Sequence, residues 1–197
     1  SRTKFMNPNI GPCPDDTGIA IGSAFASTSK ILEIPKKKYL GDFFGSEFTN
    51  KQIEHDLKIS KVRYEILDDF LKDAAKNLID GKIVGWFQGR SELGQRALGH
   101  RSILASPMLS TMKDTINKYV KFREEFRPFA PSILQEFREE YFEIPPAEEV
   151  YFMEKVFPFK EDKKNQVPAV VHTDGTGRIH FVSEESNKIL YQLIKEF

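Results

Sequence analysis

The sequence predicts a mixed α and β fold, and three stretches carry that prediction. Apolar residues in 70–79 recur with the period of an amphipathic helix, and Gly81 is placed to end it. The segment KIVGWF at 82–87 has the apolar run of a buried strand. The segment VPAVVHTDGTGRIHFV at 167–182 has the pattern of a hairpin around an Asp-Gly turn. Helix and strand signals of this kind indicate an α+β (mixed α/β) chain.

The first part of the chain predicts a separate short unit. Residues 14–26 have the pattern of a turn followed by a helix rich in small residues. Asp15 and Asp16 at its start suit either a helix cap or a metal ion, and the sequence alone favours the cap. A charged stretch broken by proline and glycine follows, and it predicts a domain boundary between about 28 and 45. We therefore divide the chain into residues 1–35 and 36–197.

Three further segments complete the predicted elements. Thr111 is placed to cap a short helix with an inward apolar face. The residues of that face are Met112, Ile116, Tyr119 and Val120. Residues 136–164 carry nine acidic and five basic side chains, which predicts an exposed excursion. A last helical stripe continues to Phe197 without a stop signal and the chain opens on Ser1, so we expect a piece of something longer at both ends.

Composition excludes several classes of protein. The 197 residues are 40% hydrophobic and 29% charged, as in ordinary globular domains. No run approaches the ~18 apolar residues of a membrane-spanning helix, so no membrane partner is expected. The single cysteine, Cys13, rules out an internal disulfide and fits a reducing compartment, which predicts a cytoplasmic protein. The 29 basic and 29 acidic side chains give a net charge of 0, which argues against a nucleic-acid partner.

Arginine and glycine are concentrated directly after the predicted strand at 82–87. Between Arg90 and Arg127 there are eight basic and four acidic side chains, although the whole chain is neutral. A guanidinium group offers a planar fork of donors that matches phosphate or carboxylate, and glycine lets backbone N–H groups approach an anion. The predicted ligand of residues 89–101 is therefore an anion, most simply phosphate. The alternative is that these arginines pair with surface carboxylates.

A second polar cluster is predicted at residues 172–178. His172, Asp174, Thr176 and Arg178 surround the Asp-Gly turn, and together they suit a nucleotide or a phosphate. An ordinary hairpin turn explains the same spacing equally well. Spacing alone leaves both interpretations open.

Three long motifs resemble one known family. They are GWFQGRSELGQRALGHRSILASP at 85–107, VKFREEFRPFAPSIL at 120–134 and HTDGTGR at 172–178. Their order and spacing resemble the C-terminal half of the O-carbamoyltransferases related to nodulation protein NodU, the cephamycin-pathway enzyme CmcH and the tobramycin enzyme TobZ. The likeness runs from about residue 6 to residue 197.

The resemblance implies a fold and a reaction. Members join an N-terminal Kae1-like (actin/Hsp70-like) domain to a YrdC/RibB-like twisted sheet flanked by helices. Residues 1–35 would then be the end of the Kae1-like domain with a linker, and 36–197 a truncated YrdC-like domain. The YrdC-like part binds ATP with Mg²⁺ and carbamoyl phosphate, and makes carbamoyl-adenylate with release of pyrophosphate. The Kae1-like part holds iron or another divalent metal and passes the carbamoyl group to an acceptor hydroxyl, for which a sugar is the family habit.

The resemblance also implies site residues in this sequence. The leading candidates for contacts with carbamoyl phosphate and the ATP phosphates are Arg96, Lys121, Arg127 and Arg178. A second set is implied as ligand-binding: Arg90, Gly94, Gly99, Arg101, Arg123, His172, Asp174 and Thr176. Asp16 would occupy the position of the metal-ligand aspartate, with histidine ligands supplied by the N-terminal domain.

Some features depart from the family's pattern. Gln95 stands where proline is usual and His180 where glutamine is usual; neither change removes a cation, but each can alter the shape of its loop. The family's Asn-Thr-Ser segment would follow Phe197, so we expect this piece to lack full activity. Two other hypotheses remain: a non-catalytic module that binds phosphate or nucleic acid, and a bare anion-binding regulatory domain.

Overall fold

Helices and short strands share the chain, as the sequence predicts. The computed structural model describes residues 11–33, 40–146 and 148–197. The α-helices are α1 (Asp16–Thr28), α2 (Asn50–Ile59), α3 (Phe70–Ile79), α4 (Met112–Thr115), α5 (Arg138–Tyr141) and α6 (Lys188–Glu196). The strands are β1 (Val84–Phe87), β2 (Arg101–Leu104), β3 (Ser132–Leu134), β4 (Val156–Pro158), β5 (Thr176–Arg178) and β6 (His180–Val182). A π-helical turn, Ile116–Val120, continues α4, and 3₁₀ turns cover Gln135–Phe137 and Pro168–Val170.

The described strands pair two by two. Strand β1 is antiparallel to β2, β4 is antiparallel to β5, and β3 is parallel to β6. Only Ile179 separates β5 from β6, so one extended segment takes part in two of the pairs. The α+β class is thus confirmed, whereas the single twisted sheet of a YrdC/RibB-like fold stays a prediction.

The predicted amphipathic helix at 70–79 is confirmed as α3. Its N-terminus is capped by Asp69, whose Oδ1 accepts the N–H of Lys72 at 3.2 Å. Beyond its C-terminus the chain turns at Gly81, where φ is +78°. The helix buries Ala75 and Leu78 beside the C-terminal helix α6. The rest of this first core is formed by Ala74, Trp86, Val182, Leu190 and Leu193.

Residues 136–164 are not the exposed excursion that their charge predicts. Phe142, Val150 and Phe159 are almost fully buried, and the rings of Phe142 and Phe159 lie 4.2 Å apart. They pack with Ile179 and Phe181 into a second core. The prediction was wrong because aromatic residues are interspersed among the charged ones, and the segment buries several of their rings.

The predicted hairpin at 167–182 is also wrong, although its turn is real. The N–H of His172 donates to the Thr176 carbonyl at 2.8 Å, and Gly175 has φ +79°. The segment before the turn forms a 3₁₀ turn at Pro168–Val170 instead of a strand, because proline has no N–H to give to a ladder. Strand β5 has no partner strand in residues 167–171, and it pairs with β4 instead.

The helix predicted after Thr111 is present but differs in two respects. Thr111 makes no capping hydrogen bond with its side chain. Met112 and Ile116 are buried as predicted, whereas Tyr119 is 64% exposed and Val120 is 36% exposed. The wider π-helical turn changes the angular spacing of side chains, so the face expected for a regular α-helix does not continue past Ile116.

Helix α1 confirms the prediction for residues 14–26 and buries none of its own residues. The side chain of Asp15 accepts the N–H of Thr17 at 3.1 Å, so Asp15 is the cap that the sequence favours. The boundary at 35/36 lies outside the described residues, and the division into two domains stays a prediction. Within the described part of the chain, none of the helices combines the length and apolar character needed to cross a bilayer.

Candidate functional site

The arginine-rich loop connects β1 to β2, and one carboxylate organises its second half. Glu92 Oε1 accepts the backbone N–H groups of Leu98 at 2.7 Å, His100 at 3.0 Å and Arg101 at 3.3 Å. Burial of this carboxyl raises its pKa, but the backbone N–H groups outweigh burial and the net pKa of Glu92 is lowered. Glu92 is therefore held as an anion inside a loop of cations. Sequence reasoning counted it only as a negative charge.

A second carboxylate, Asp42, supports the first half of the loop. Its side chain is 1% exposed, and Oδ2 accepts the N–H of Gly94 at 2.8 Å. The carbonyl of Asp42 accepts the N–H of Leu93 at 2.9 Å. Burial raises the pKa of Asp42 above its ordinary value, and Oδ1 has no hydrogen-bond partner among the described residues. Sequence reasoning missed Asp42, which lies far along the chain from the loop.

The two predicted ligand glycines of this loop have packing roles. A Cβ on Gly99 would lie 2.4 Å from Leu190 Cδ2, and φ at this residue is +95°. A Cβ on Gly94 would lie 2.6 Å from the Pro12 carbonyl oxygen. The N–H of Gly99 donates to Ser102 Oγ at 3.0 Å. Both glycine N–H groups are engaged inside the protein, and ligand contact by these glycines stays a prediction.

Two arginines of the loop are turned towards backbone carbonyls. Arg101 donates to the carbonyls of Gln88 at 2.7 Å, Gly89 at 3.0 Å, His100 at 3.1 Å and Ser46 at 3.2 Å, and it lies over the Phe87 ring. Arg90, which is exposed, donates to the Phe44 carbonyl at 3.2 Å. Arg101 therefore fastens the loop to β1 and to residues 42–46. Roles of these two residues in ligand binding stay predictions.

Two of the predicted cations, Arg96 and Arg123, act electrostatically on a third, Arg178, which lies on β5. Its side chain is partly buried, and its Nε has no hydrogen-bond partner among the described residues. Burial, together with the charges of Arg96 and Arg123, lowers the pKa of the Arg178 guanidinium. Arg96 and Arg123, from distant parts of the sequence, are thus near enough for their charges to act on Arg178. We call Arg96, Arg123 and Arg178 the arginine cluster.

Arg123 is placed in the cluster by the fully buried Asn117. Its Nε donates to Asn117 Oδ1 at 2.8 Å, and its guanidinium lies 4.9 Å from the Phe129 ring centre. The Asn117 amide donates in turn to the carbonyls of Glu125 at 3.2 Å and Arg127 at 2.9 Å. Asn117 comes from the π-helical turn, and its only sequence signal was a polar residue next to the inward-facing Ile116.

Lys121 and Arg127 lie at the exposed edge of the same segment. Arg127 forms an ion pair with Glu124, with 2.8 Å between Nε and Oε2, and about half of each side chain is exposed. Burial, followed by the charge of Arg127, lowers the pKa of Arg123. Lys121 is exposed. An exposed pair of this kind contributes about 0–1 kcal/mol, so Arg127 is free to exchange Glu124 for a ligand.

The turn at 172–176 fixes the protonation of His172. Asp174 Oδ1 accepts the Thr176 hydroxyl at 2.7 Å, and this hydrogen bond comes first among the causes that lower the pKa of Asp174. The hydroxyl has a single proton, which it donates to Asp174. Thr176 Oγ1 therefore accepts a hydrogen bond from the Nδ1–H of His172 at 3.1 Å. Burial lowers the pKa of His172. The neutral ring therefore keeps Nε2 as an acceptor, and this buried atom has no donor among the described residues.

The predicted metal ligand lies away from other ligand-type side chains. Asp16 is exposed in the first turn of α1. Among the described residues there is no group of three His, Cys, Asp or Glu side chains that could hold a metal ion. A metal bound at Asp16 would need its other ligands from elsewhere, which is what the resemblance implies, and the metal site stays a prediction.

Comparison with known proteins gives one family. The profile described as carbamoyltransferase C-terminus matches residues 75–197. Nodulation protein NolNO of Sinorhizobium fredii is 38% identical over 198 residues, covering 98% of this chain and 29% of the relative. Nodulation protein NolO of Bradyrhizobium diazoefficiens is 38% identical over 193 residues, covering 95% of this chain and 35% of the relative. A 3'-hydroxymethylcephem-O-carbamoyltransferase of Streptomyces clavuligerus is 33% identical over 198 residues, covering 98% and 35%.

These similarities confirm the resemblance drawn from the three motifs. The matched profile includes the arginine loop, the segment around Asn117 and the 172–178 turn. The chain spans about a third of the length of the curated relatives it matches.

Proposed function

The chain belongs to the carbamoyltransferase C-terminal family, and we propose that it binds carbamoyl phosphate and ATP to form carbamoyl-adenylate, from which the carbamoyl group passes to an acceptor hydroxyl. The observation that carries the proposal is the setting of Arg178. Its guanidinium is partly buried, its Nε is unpartnered among the described residues, and the charges acting on it are those of Arg96 and Arg123. Buried like charges destabilise a fold unless an anion joins them. A phosphate group supplies that anion.

The chemistry needs cations more than it needs a nucleophile on the protein. Hydrolysis of carbamoyl phosphate yields carbamate and inorganic phosphate. A carbamate oxygen then attacks the α-phosphorus of ATP, and pyrophosphate leaves. The acceptor hydroxyl later attacks the carbamoyl carbon, losing its proton as AMP departs. Fixed guanidinium groups offset the repulsion between the two anionic substrates and stabilise the charge that develops on pyrophosphate.

The residues divide into an inner and an outer set. Arg96, Arg123 and Arg178 form the inner set and hold the phosphate groups. Arg127 and Lys121, which are both exposed, form the outer set and would close on a ligand that is already seated. Mg²⁺ would accompany ATP. In the transfer step a divalent metal such as iron, with Asp16 as its one ligand from this chain, would polarise the acceptor hydroxyl.

Calorimetry on the natural full-length protein tests the binding site. Carbamoyl phosphate and ATP would be titrated into wild type and into the variants Arg178→Gln, Lys121→Ala and Arg127→Ala. A hydrogen bond to a charged group contributes about 1.5–3 kcal/mol, so we expect each loss to weaken binding by about tenfold or more. Arg63→Gln, an exposed arginine outside the three motifs, is the matched control. Unchanged affinity in all three site variants would remove the proposed site.

A second measurement separates the proposed enzyme from a bare anion-binding regulatory domain. The enzyme releases pyrophosphate from ATP only when carbamoyl phosphate is present. A regulatory domain binds phosphate and releases none. A nucleic-acid-binding module, the remaining hypothesis, would instead bind an oligonucleotide with an affinity that falls steeply as salt rises.

A further inference from the structure

Arg96 lies in the middle of a short arch that runs from Gly94 to Leu98, and a carboxylate fixes each end of it. At the first end the N–H of Gly94 donates to Asp42 Oδ2 at 2.8 Å. At the second end the N–H of Leu98 donates to Glu92 Oε1 at 2.7 Å. Because so few residues can span only a short distance, fixing both ends restricts where the Arg96 side chain can reach.

Neither carboxylate pairs with an arginine side chain. Among the described residues, the carboxylates of Asp42 and Glu92 accept their hydrogen bonds from backbone N–H groups. The partly buried side chain of Arg96 likewise has no hydrogen bond or ion pair within the described part of the chain. A guanidinium without a carboxylate partner keeps its fork of donors for an anion. The two carboxylates therefore hold the arch and leave the charge of Arg96 available to a ligand.

The backbone around Asp42 is attached to the loop independently of its side chain. The carbonyl of Asp42 accepts the N–H of Leu93 at 2.9 Å. Three residues further on, the N–H of Gly45 donates to the Ser91 carbonyl at 2.9 Å. These backbone hydrogen bonds do not depend on the carboxylate. What the Asp42 side chain adds to them is the hydrogen bond to Gly94, at the start of the arch.

Stability alone does not explain a carboxylate at position 42. The side chain of Asp42 is 1% exposed, and its Oδ1 has no hydrogen-bond partner among the described residues. Burial raises the pKa of Asp42, and the nearby charge of Glu92 raises it as well. A buried carboxylate with one unpaired oxygen lowers the stability of a fold. Groups of this kind are concentrated at functional sites, and Asp42 acts on the loop that carries Arg96.

We infer that Asp42 is a positioning residue for Arg96. By accepting the Gly94 N–H, it fixes the start of the arch and directs the Arg96 guanidinium to the phosphate groups that the rest of the arginine cluster holds. A side chain that is already in place loses less conformational entropy when the ligand binds, and this strengthens binding. The inference rests on the proposed function, since it adds to the arginine cluster the residue that places one of its members.

A double-mutant cycle tests whether Asp42 acts through Arg96. MgATP would be titrated calorimetrically into the natural full-length protein as wild type, Asp42→Ala, Arg96→Gln and the double variant, with the exposed Asp68→Ala as matched control. We expect each single substitution at positions 42 and 96 to weaken binding by about tenfold. The double variant should bind as Arg96→Gln does, because Asp42 then has no arginine left to position. Asp68→Ala should keep the wild-type affinity.

Two further replacements at position 42 separate the hydrogen bond from packing. Asp42→Asn keeps an oxygen that can accept the Gly94 N–H and removes the buried charge beside Glu92. It should therefore keep the affinity for MgATP and melt at or above the wild-type temperature. Asp42→Leu has a similar volume but no acceptor, so it should weaken binding as Asp42→Ala does.

The outcomes separate the inference from the function beneath it. Three results would each show that Asp42 does not position Arg96: wild-type affinity in Asp42→Ala and Asp42→Leu, equally weak binding in Asp42→Asn, or losses that multiply in the double variant. Unfolding curves identify a variant that does not fold, and the other then decides. If neither Asp42→Ala nor Asp42→Leu folds, the side chain is a structural support and the inference is wrong.

The proposed function has its own result in the same titrations. If wild type binds no MgATP, the proposed function fails and the inference fails with it. If Arg96→Gln binds MgATP as tightly as wild type while Arg178→Gln does not, the nucleotide site stands without Arg96, and the inference alone is overturned.

Discussion

Asn117 Oδ1 accepts a hydrogen bond from Arg123 Nε at 2.8 Å, and the asparagine that makes it is fully buried. The same side chain donates to two carbonyls of the segment that carries Arg127. A single buried amide thus sets both the direction of one cluster arginine and the path of the backbone beside it. This relationship explains how an irregular segment can present charge at a fixed place.

Replacing Asn117 should affect stability and binding together. In Asn117→Ala the carbonyls of Glu125 and Arg127 lose their donor and Arg123 loses its acceptor, and the loss of these part-buried hydrogen bonds should cost about 1–3 kcal/mol. We expect the free energy of unfolding to fall by this amount in urea titrations, and carbamoyl phosphate binding to weaken as Arg123 loses its support. Asn165→Ala, on the surface, is the control. Wild-type stability in Asn117→Ala would contradict the structure of this segment.

The contribution of Glu92 to the free energy of unfolding should depend on pH. Its pKa is lowered because backbone N–H groups outweigh burial, so the stability it contributes is present above the unfolded pKa of about 4.5 and is lost as pH falls through the lower folded value. At pH 7 we expect Glu92→Gln to reduce the free energy of unfolding by about 1–3 kcal/mol. The difference from wild type should shrink below pH 4.5.

Urea unfolding at pH 7 and at about pH 3.5, below the ordinary carboxyl pKa, measures this difference, with the exposed Glu47→Gln as control. A gap between wild type and Glu92→Gln that stays constant over the range would mean that the carboxylate charge is not what holds the loop.

His180 is a second buried group whose charge should govern stability. Complete burial lowers its pKa from 6.5 to about 4, and its Nδ1 lies 3.0 Å from Ser132 Oγ. The folded state favours the neutral ring, so stability is full above pH 6.5 and is lost as pH falls towards 4. Between pH 7 and pH 5 the loss should be about 2 kcal/mol.

Glutamine at this position has no charge to gain, so His180→Gln should lack this part of the pH dependence while keeping a partner for Ser132. The free energy of unfolding would be measured at the two pH values above in wild type, in His180→Gln and in the exposed control His55→Gln. Parallel pH profiles for wild type and His180→Gln would show that His180 is accessible to protons in the folded state.

The fold was predictable where local pattern and packing agree. The amphipathic period of residues 70–79 and the stop at Gly81 predict α3 correctly, because its apolar face packs against α6 and β1. The hairpin at 167–182 failed because β5 finds its partner in β4, a distant strand that local spacing does not reveal. Charge misled at 136–164, where acidic residues mask the buried rings of Phe142 and Phe159.

The sequence indicates the cations of the proposed site but not the residues that hold them in place. Arginines among glycines indicate an anion on chemistry alone, and the charge of Arg96 acts on Arg178 although the two lie in different motifs. Asp42 and Asn117 have no such signature, because one carboxylate or one amide in a sequence does not show which backbone groups it will serve. The split between Arg101, used on carbonyls, and Arg178, left unpaired at Nε among the described residues, likewise depends on tertiary geometry.

Removing Arg178 should separate stability from function. Without a bound anion, its guanidinium is partly buried and faces the charges of Arg96 and Arg123. Arg178→Met keeps much of the apolar stem and removes the repelling charge, so the ligand-free variant should equal or exceed wild type in its free energy of unfolding, by up to about 1 kcal/mol. Adding pyrophosphate should raise the melting temperature of wild type, because a ligand that binds only the folded state stabilises it. The variant should show little such rise. A ligand-free Arg178→Met that is clearly less stable than wild type would mean that the guanidinium is a structural support, and that the repulsion inferred at the centre of the cluster does not exist.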